Sequence, residues 1–227
     1  MFKNSFNISF IVKLPPTEDL DLAFALTATS SSADDTFEQM KEIVIEMVNK
    51  YGRGKVQYGL IIFGDIASIK INFMDSFPTD DAIKRFIDSV PRSINGPALD
   101  EALEEARKLF ETSRRPQANK VLVVISDKNS TSSPEDLSEK VITLEQQGID
   151  DIVSVVIGNE ASAEEMLGIA KNKDDVIAAN SSDTPKDIAD KISKRITQGK
   201  QKTEISNFSD WVSNLKNLYF LDVSYSV

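Results

Sequence analysis

Two spacings of apolar side chains alternate along the middle of this chain. Leu22 to Leu26 is a short unbroken apolar run, as a strand buried on both faces requires. Phe37, Met40, Val44, Met47 and Val48 then recur at helical spacing. Val56 to Phe63 (VQYGLIIF) reads as the next strand. Ile69, Ile71 and Phe73 alternate with polar residues, as on a half-exposed edge strand. Ile83, Phe86, Ile87 and Val90 mark one helical face; Leu99, Ala102, Leu103, Ala106, Leu109 and Phe110 mark another. Val121 to Ile125 is a buried strand. Leu137, Val141 and Leu144 form a helix stripe that stops at Gly148, a C-terminal cap. Ile152 to Ile157 is a strand, Met166, Leu167 and Ala170 suggest a short helix, and Val176 to Ala178 is a short strand. Ile188, Ile192 and Ile196 make the last helix, with Pro185 in its first turn and Gly199 just past its end.

Six strands interleaved with helices predict an α/β sheet with helices on both faces. Ligands of such sheets bind at the carboxyl ends of the strands, where the strand order reverses. Function is therefore expected just after Leu26, near residues 92–98 and just after Ile125. Residues 1–18 and 200–227 fall outside this pattern. Phe6, Ile8, Phe10, Val12 and Leu14 alternate with mostly polar residues, as do Tyr219, Leu221, Val223, Tyr225 and Val227, so each end reads as an additional strand; a short helix fits around Trp211.

Composition narrows the chemistry. The 227 residues carry 26 Lys and Arg against 36 Asp and Glu, a net charge of −10, which disfavours nucleic acid and anionic membrane as partners. The absence of His and Cys rules out Ser-His-Asp and Cys catalysis, disulfides and Cys/His zinc sites. No glycine-rich phosphate loop of the G-x-G-x-x-G or G-x-x-x-x-G-K-[ST] kind follows a strand. No apolar run is long enough to span a membrane, and the opening segment makes a poor signal peptide.

The stretch Asp21 to Ser31 (DLAFALTATSS) resembles the first strand and metal loop of a von Willebrand factor A domain. The likeness continues through VQYGLIIFGDIASIKINF, PRSINGPALDEALEEARKLF, ANKVLVVISDKNS and DIVSVVIGNEASAEEMLGIAKNKDDVI, covering about residues 19–199. Its flavour is that of the matrilin, collagen and integrin branch. The resemblance implies a doubly wound, mostly parallel six-stranded sheet with one antiparallel edge strand. It also implies a non-enzymatic protein-binding module of extracellular matrix or cell surface. Adhesive members hold a divalent cation with D-x-S-x-S, a distant Thr and a distant Asp. Carried over by position, that set becomes Thr27, Thr29, Ser31, Ser93 (three residues before Gly96) and Asp127. Four hydroxyls and one carboxylate stand where three hydroxyls and two carboxylates are expected. A hard cation prefers charged oxygen ligands. One carboxylate fewer lowers the expected affinity by at least one to two orders of magnitude, leaving a weak Mg²⁺ or Ca²⁺ site at most. Asp34 or Asp35 offers a substitute carboxylate, although an acidic residue at a helix start more often serves the helix itself.

Four Asn-x-Ser/Thr sequons, at Asn7, Asn129, Asn180 and Asn207, fit a secreted glycoprotein. Asn129 lies two residues after Asp127, so a glycan there would crowd the expected binding face. Asp65, the Asp150/Asp151 pair and the Asp174/Asp175 pair read more simply as turn and surface acids than as calcium ligands. Two further readings stay open: a structural acidic matrix protein that attracts cations or mineral, and an intracellular scaffold of the same fold.

Overall fold

The computed structural model describes residues 19–29, 34–92, 96–170, 172–180 and 182–199. The expected terminal strands and the helix near Trp211 lie outside them. The elements are β1 (Leu20–Thr27), α1 (Asp34–Tyr51), β2 (Val56–Phe63), β3 (Ala67–Ile71), α2 (Asp80–Ser89), α3 (Leu99–Glu111), β4 (Asn119–Ser126), α4 (Pro134–Gln146), β5 (Asp151–Val156), α5 (Ala163–Ala170), β6 (Val176–Ala178) and a final helix, α6, over 185–199. The strands form one sheet in the order β3-β2-β1-β4-β5-β6. All pairings are parallel except β2 with β3, which is antiparallel. The doubly wound sheet with one antiparallel edge strand is therefore as expected. Phe73 lies two residues beyond β3 yet is buried, and Gly199 belongs to α6 instead of following it.

All eight residues of β1 are buried. Its side chains divide by the two-residue strand period. Leu20, Leu22, Phe24 and Leu26 join the core under α1, α2 and α6, while Ala23 and Ala25 join the core under α3, α4 and α5. The small residues on the second face allow α3 to come close. Ala23 pairs with Gly59 on β2, and a Cβ built on Gly59 would stand 2.5 Å from Leu109 Cδ2 and 3.3 Å from Phe73 Cε1. Glycine at 59 is thus set by packing and not by a turn.

Polar residues close the ends. Thr79 and Ser133 accept hydrogen bonds from the N–H groups of Ala82 and Asp136, capping α2 and α4. Thr184 and Asp187 bond reciprocally at the start of α6, a capping box just before Pro185. Gly148 has φ 81°, the left-handed conformation that ends α4. At the amino end of the sheet, the fully buried Asp21 carboxylate accepts from Ser113 and from the Arg115 guanidinium, which also donates to the Leu20 carbonyl at 2.7 Å. Asp175, also buried, is paired with Arg195. Asp151 lies near this pair. Burial, and secondarily the charge of Asp175, push its carboxyl up to about 6. The acidic pairs at 150–151 and 174–175 are therefore only partly the solvated acids that the sequence suggests.

Two outcomes follow from this packing. Gly59→Val should cost about 2 kcal/mol through overpacking against Leu109, lowering the melting temperature by about 4–8 °C. For Asp151, the folded carboxyl titrates above its unfolded value near 4, so the folded state holds more protons in that window. Stability then falls as pH rises from about 4 to 6. Asp151→Asn should raise the melting temperature at pH 7 and leave it unchanged below about pH 4, as scanning calorimetry across pH would show.

Candidate functional site

β1 and β4 are neighbours, but the chain leaves β1 toward β2 on one side and leaves β4 toward β5 on the other. Their following loops diverge, and the crevice between them is the switch point of the sheet. Thr27 and Asp127 meet there. Thr27 is fully buried and Asp127 is 6% exposed. The Thr27 hydroxyl lies 3.1 Å from Asp127 Oδ1, and 3.3 Å from both the Ile125 carbonyl and Ser126 Oγ. A hydroxyl has one proton, and the carboxylate is the nearest and the only charged acceptor of the three. In return the backbone N–H of Asp127 donates to Thr27 Oγ1 at 3.2 Å. The two residues thus close a reciprocal pair across the crevice. Met40 Sδ of α1 lies beneath it, 3.9 Å from the hydroxyl.

Other bonds tie the neighbouring loops together. Arg92, on the connection between α2 and α3, donates from Nη2 to the Thr29 carbonyl at 2.7 Å. The same connection meets the loop after β4. The Pro97 carbonyl accepts from Thr131 N at 3.0 Å and from Ser130 Oγ at 3.1 Å, and Ser130 Oγ accepts from Leu99 N at 3.2 Å. Ala98 N donates to the Gly64 carbonyl at 2.6 Å, linking the turn after β2. Beside this cluster, Ser130 N donates to the Glu165 carboxylate, whose pKa burial raises. Asn129 is exposed and its Oδ1 accepts from Ser162 N at 2.6 Å.

A sequence profile of the family described as "von Willebrand factor type A domain" matches residues 21–195. The chain belongs to the von Willebrand factor type A family. This A domain is 27% identical over 167 residues to the human collagen alpha-5(VI) chain, a match that takes in 70% of this chain and 6% of the collagen chain. Among solved structures, it is similar to proximal thread matrix protein 1 of the mussel byssus, with TM-score 0.68, 25% identity, and coverage of 77% of this chain and 45% of that one. A second structure of the same byssus protein has its MIDAS motif occupied by zinc, with TM-score 0.67 and 26% identity. The manganese-loaded TRAP protein of Plasmodium vivax shares the fold, with TM-score 0.62 and 15% identity over 72% of this chain and 69% of that one. The relatives place the A domain in the matrilin- and collagen-like branch. It spans less than half of the byssus chain and a small part of the collagen chain.

Of the five expected site residues, the A-domain fold brings Thr27, Thr29 and Asp127 to the switch point. Ser31 and Ser93 lie outside the described residues, as do the sequons at Asn7 and Asn207. Asp35 sits in the first turn of α1 and is exposed, and Asp65 is exposed in the turn between β2 and β3. Among the described residues, no group of three or more Asp, Glu, His or Cys side chains stands together as a metal cluster. Likewise, no helix among them is long and apolar enough to cross a membrane. Sequence reasoning missed Arg92 and Ser126, because neither belongs to the family's ligand pattern. Arg92 was nevertheless visible as a cation immediately before Ser93. A groove of about 420 Å³, lined by Arg53, Tyr58, Phe73, Phe77, Ile83 and Arg114, opens at the opposite end of the sheet beside the amino end of β2. It lies away from the switch point and is a separate feature.

Thr27→Val removes the hydroxyl while keeping the shape, leaving the buried Asp127 oxygen and N–H without this partner. It should lower unfolding free energy by about 1–3 kcal/mol in denaturant titrations. Thr27→Ser, which keeps the hydroxyl, should lose much less.

Proposed function

We propose that this A domain is a non-enzymatic protein-binding module of the extracellular matrix or cell surface, occupying residues 19–199, and that its binding face works with little or no divalent cation. The observation that carries the reading is the Thr27–Asp127 pair at the switch point. The family's ion would need oxygen ligands with two carboxylates to balance its charge. Here position 27 supplies a neutral hydroxyl, and its proton is committed to the remaining carboxylate. The donor set around Thr27, Thr29, Ser31, Ser93 and Asp127 therefore fits Mg²⁺, Mn²⁺ or Ca²⁺ poorly, and such an ion would be held weakly.

The matrix reading draws support from the relatives, a collagen VI chain and a byssus matrix protein. The non-enzymatic reading draws support from the lack of His and Cys. The partner is taken to be a protein and not nucleic acid, given the net charge of −10. Ile66, 70% exposed in the turn after β2, supplies an apolar contact at the same end of the sheet. Asn129 and Asn180 are both exposed, as glycan acceptors must be. A glycan on Asn129 would shift docking toward the Ile66 side of this face.

Solid-phase binding to a coat of solubilised collagen-rich matrix tests the proposal. Saturable binding is expected, unchanged by EDTA and reduced at least tenfold by Ile66→Asp without a change in melting temperature. Binding abolished by EDTA and restored by Mg²⁺, or no saturable binding at all, would overturn it.

A further inference from the structure

Edge strand β3 accompanies β2 only from Phe63 back to Leu60, where Ile71 is its last partner. There the chain turns away from β2. Asp75 N donates to the Asn72 carbonyl at 2.9 Å, and Asn72 N donates to Asp75 Oδ2 at 2.8 Å. Among the described residues, no strand therefore stands beside Val56 to Gly59 on the edge of β2 that faces away from β1. The groove of about 420 Å³ opens at this edge, with Val56, Gln57 and Tyr58 in its lining. It occupies the place in the sheet that a longer β3 would fill. Its two walls differ. Phe77 and Ile83 pack with the core that Val56 and Tyr58 join, and they form an apolar wall on that face of the sheet. Thr112 and Arg114, which follow α3, line the groove from the side of the other core. Arg53 is offset by Asp80 at 3.1 Å, and the acid in the lining is Asp75. Arg114 is exposed and has no hydrogen-bond or ion-pair partner among the described residues. An extended segment answers all of these features. Its backbone pairs with the open edge, and its alternate side chains meet the apolar wall on one face and the guanidinium on the other.

Two stretches of this chain alternate as such a strand requires, Phe6 to Leu14 and Tyr219 to Val227, both outside the described residues. Charge chooses between them. The first carries Lys13 among its polar positions, which would repel Arg114. In the second, Leu221, Val223 and Tyr225 alternate with Asp222 and Ser224, so one face is apolar and the other presents a carboxylate. The connection is long enough. A Cβ on Gly199, at the end of α6, would lie 2.7 Å from Asp151 Oδ2, which places Gly199 at the amino end of β5 and at the same end of the sheet as the groove. From β5 across β4 and β1 to the open edge of β2 is about 20 Å at ~4.8 Å per strand. Residues 200–218 can span up to roughly 60 Å. We propose that residues 219–225 dock in this groove as an added strand of the same chain, with Asp222 against Arg114 and with Leu221 and Val223 on the Phe77–Ile83 wall. The docking covers Met74, 54% exposed in the lining, and closes a strand edge that is otherwise open to pairing with other chains. It leaves the switch point, at the opposite end of the sheet, free for a partner.

Hydrogen exchange of the full chain, followed by mass spectrometry at concentrations where sedimentation shows a monomer, tests the proposal. Amides of residues 220–225 should exchange at least tenfold more slowly than an unstructured peptide of the same sequence. Arg114→Glu, at an exposed position, should speed their exchange at least threefold. Adding Asp222→Arg, which reverses the pair, should restore the protection. Amides of β1 and β4 should stay protected in every variant, showing that the sheet is intact. Exchange of residues 220–225 at the peptide rate in the wild type would overturn the proposal. Protection that Arg114→Glu leaves unchanged would overturn it too, since the segment would then be covered elsewhere, as would protection lost in Arg114→Glu and not rescued by Asp222→Arg. Protection that appears only as the chain dimerises would put the segment of a second copy in the groove and contradict docking within one chain.

Discussion

Strand β1 is enclosed on every side, and much of the molecule follows from that. Its backbone is bonded to β2 on one edge and to β4 on the other, and both of its faces lie under helices. All eight of its residues are shut away from solvent. Any polar group on this strand must therefore find its partner within the protein. Only two of its side chains are polar, one near each end. Asp21 is answered by Ser113 and Arg115, and Thr27 by Asp127. The first anchors the amino end of the sheet; the second lies at the switch point, the centre of the proposed binding face.

The same enclosure links fold to function. A parallel strand between two parallel neighbours leaves its carboxyl end at the place where loops diverge. With a hydroxyl in that position the charge problem shrinks to one carboxylate, which a hydroxyl proton and nearby backbone can satisfy. The Thr27–Asp127 pair makes the centre of this end of the sheet a hydrogen-bonded surface.

Much of this was legible in the sequence. The unbroken apolar runs at 22–26 and 121–125, and the run at 152–157 broken only by Ser154, read as strands buried on both faces. The helical stripes at 37–48 and 99–110 were long enough to be distinguished from strands. The antiparallel pairing of β3 came from the family likeness, since alternation reports exposure and not direction. The loss of the first carboxylate was also readable, because it depends on residue identity at one position. What the ligand pattern could not reveal was which other residues bond to the carboxyl end of β1. Arg92 and Ser126 reach the site through backbone geometry that brings residues about 60 and 100 positions apart into contact with the β1 loop. Nor could sequence spacing tell that Asp151 is drawn into the buried Asp175–Arg195 corner by the packing of α6. Gly59 stands alone within a strand, and the approach of Leu109 and Phe73 explains it.

The central claim is that the Thr27–Asp127 hydrogen bonds hold the centre of this proposed face without a divalent ion. A crystal structure grown in millimolar MnCl₂, with data collected to reveal the anomalous signal of manganese, tests it most directly. The account predicts no anomalous peak among Thr27, Thr29 and Asp127, with the Thr27–Asp127 bond intact. A manganese peak coordinated by Thr29 and bridged to Asp127 would contradict it.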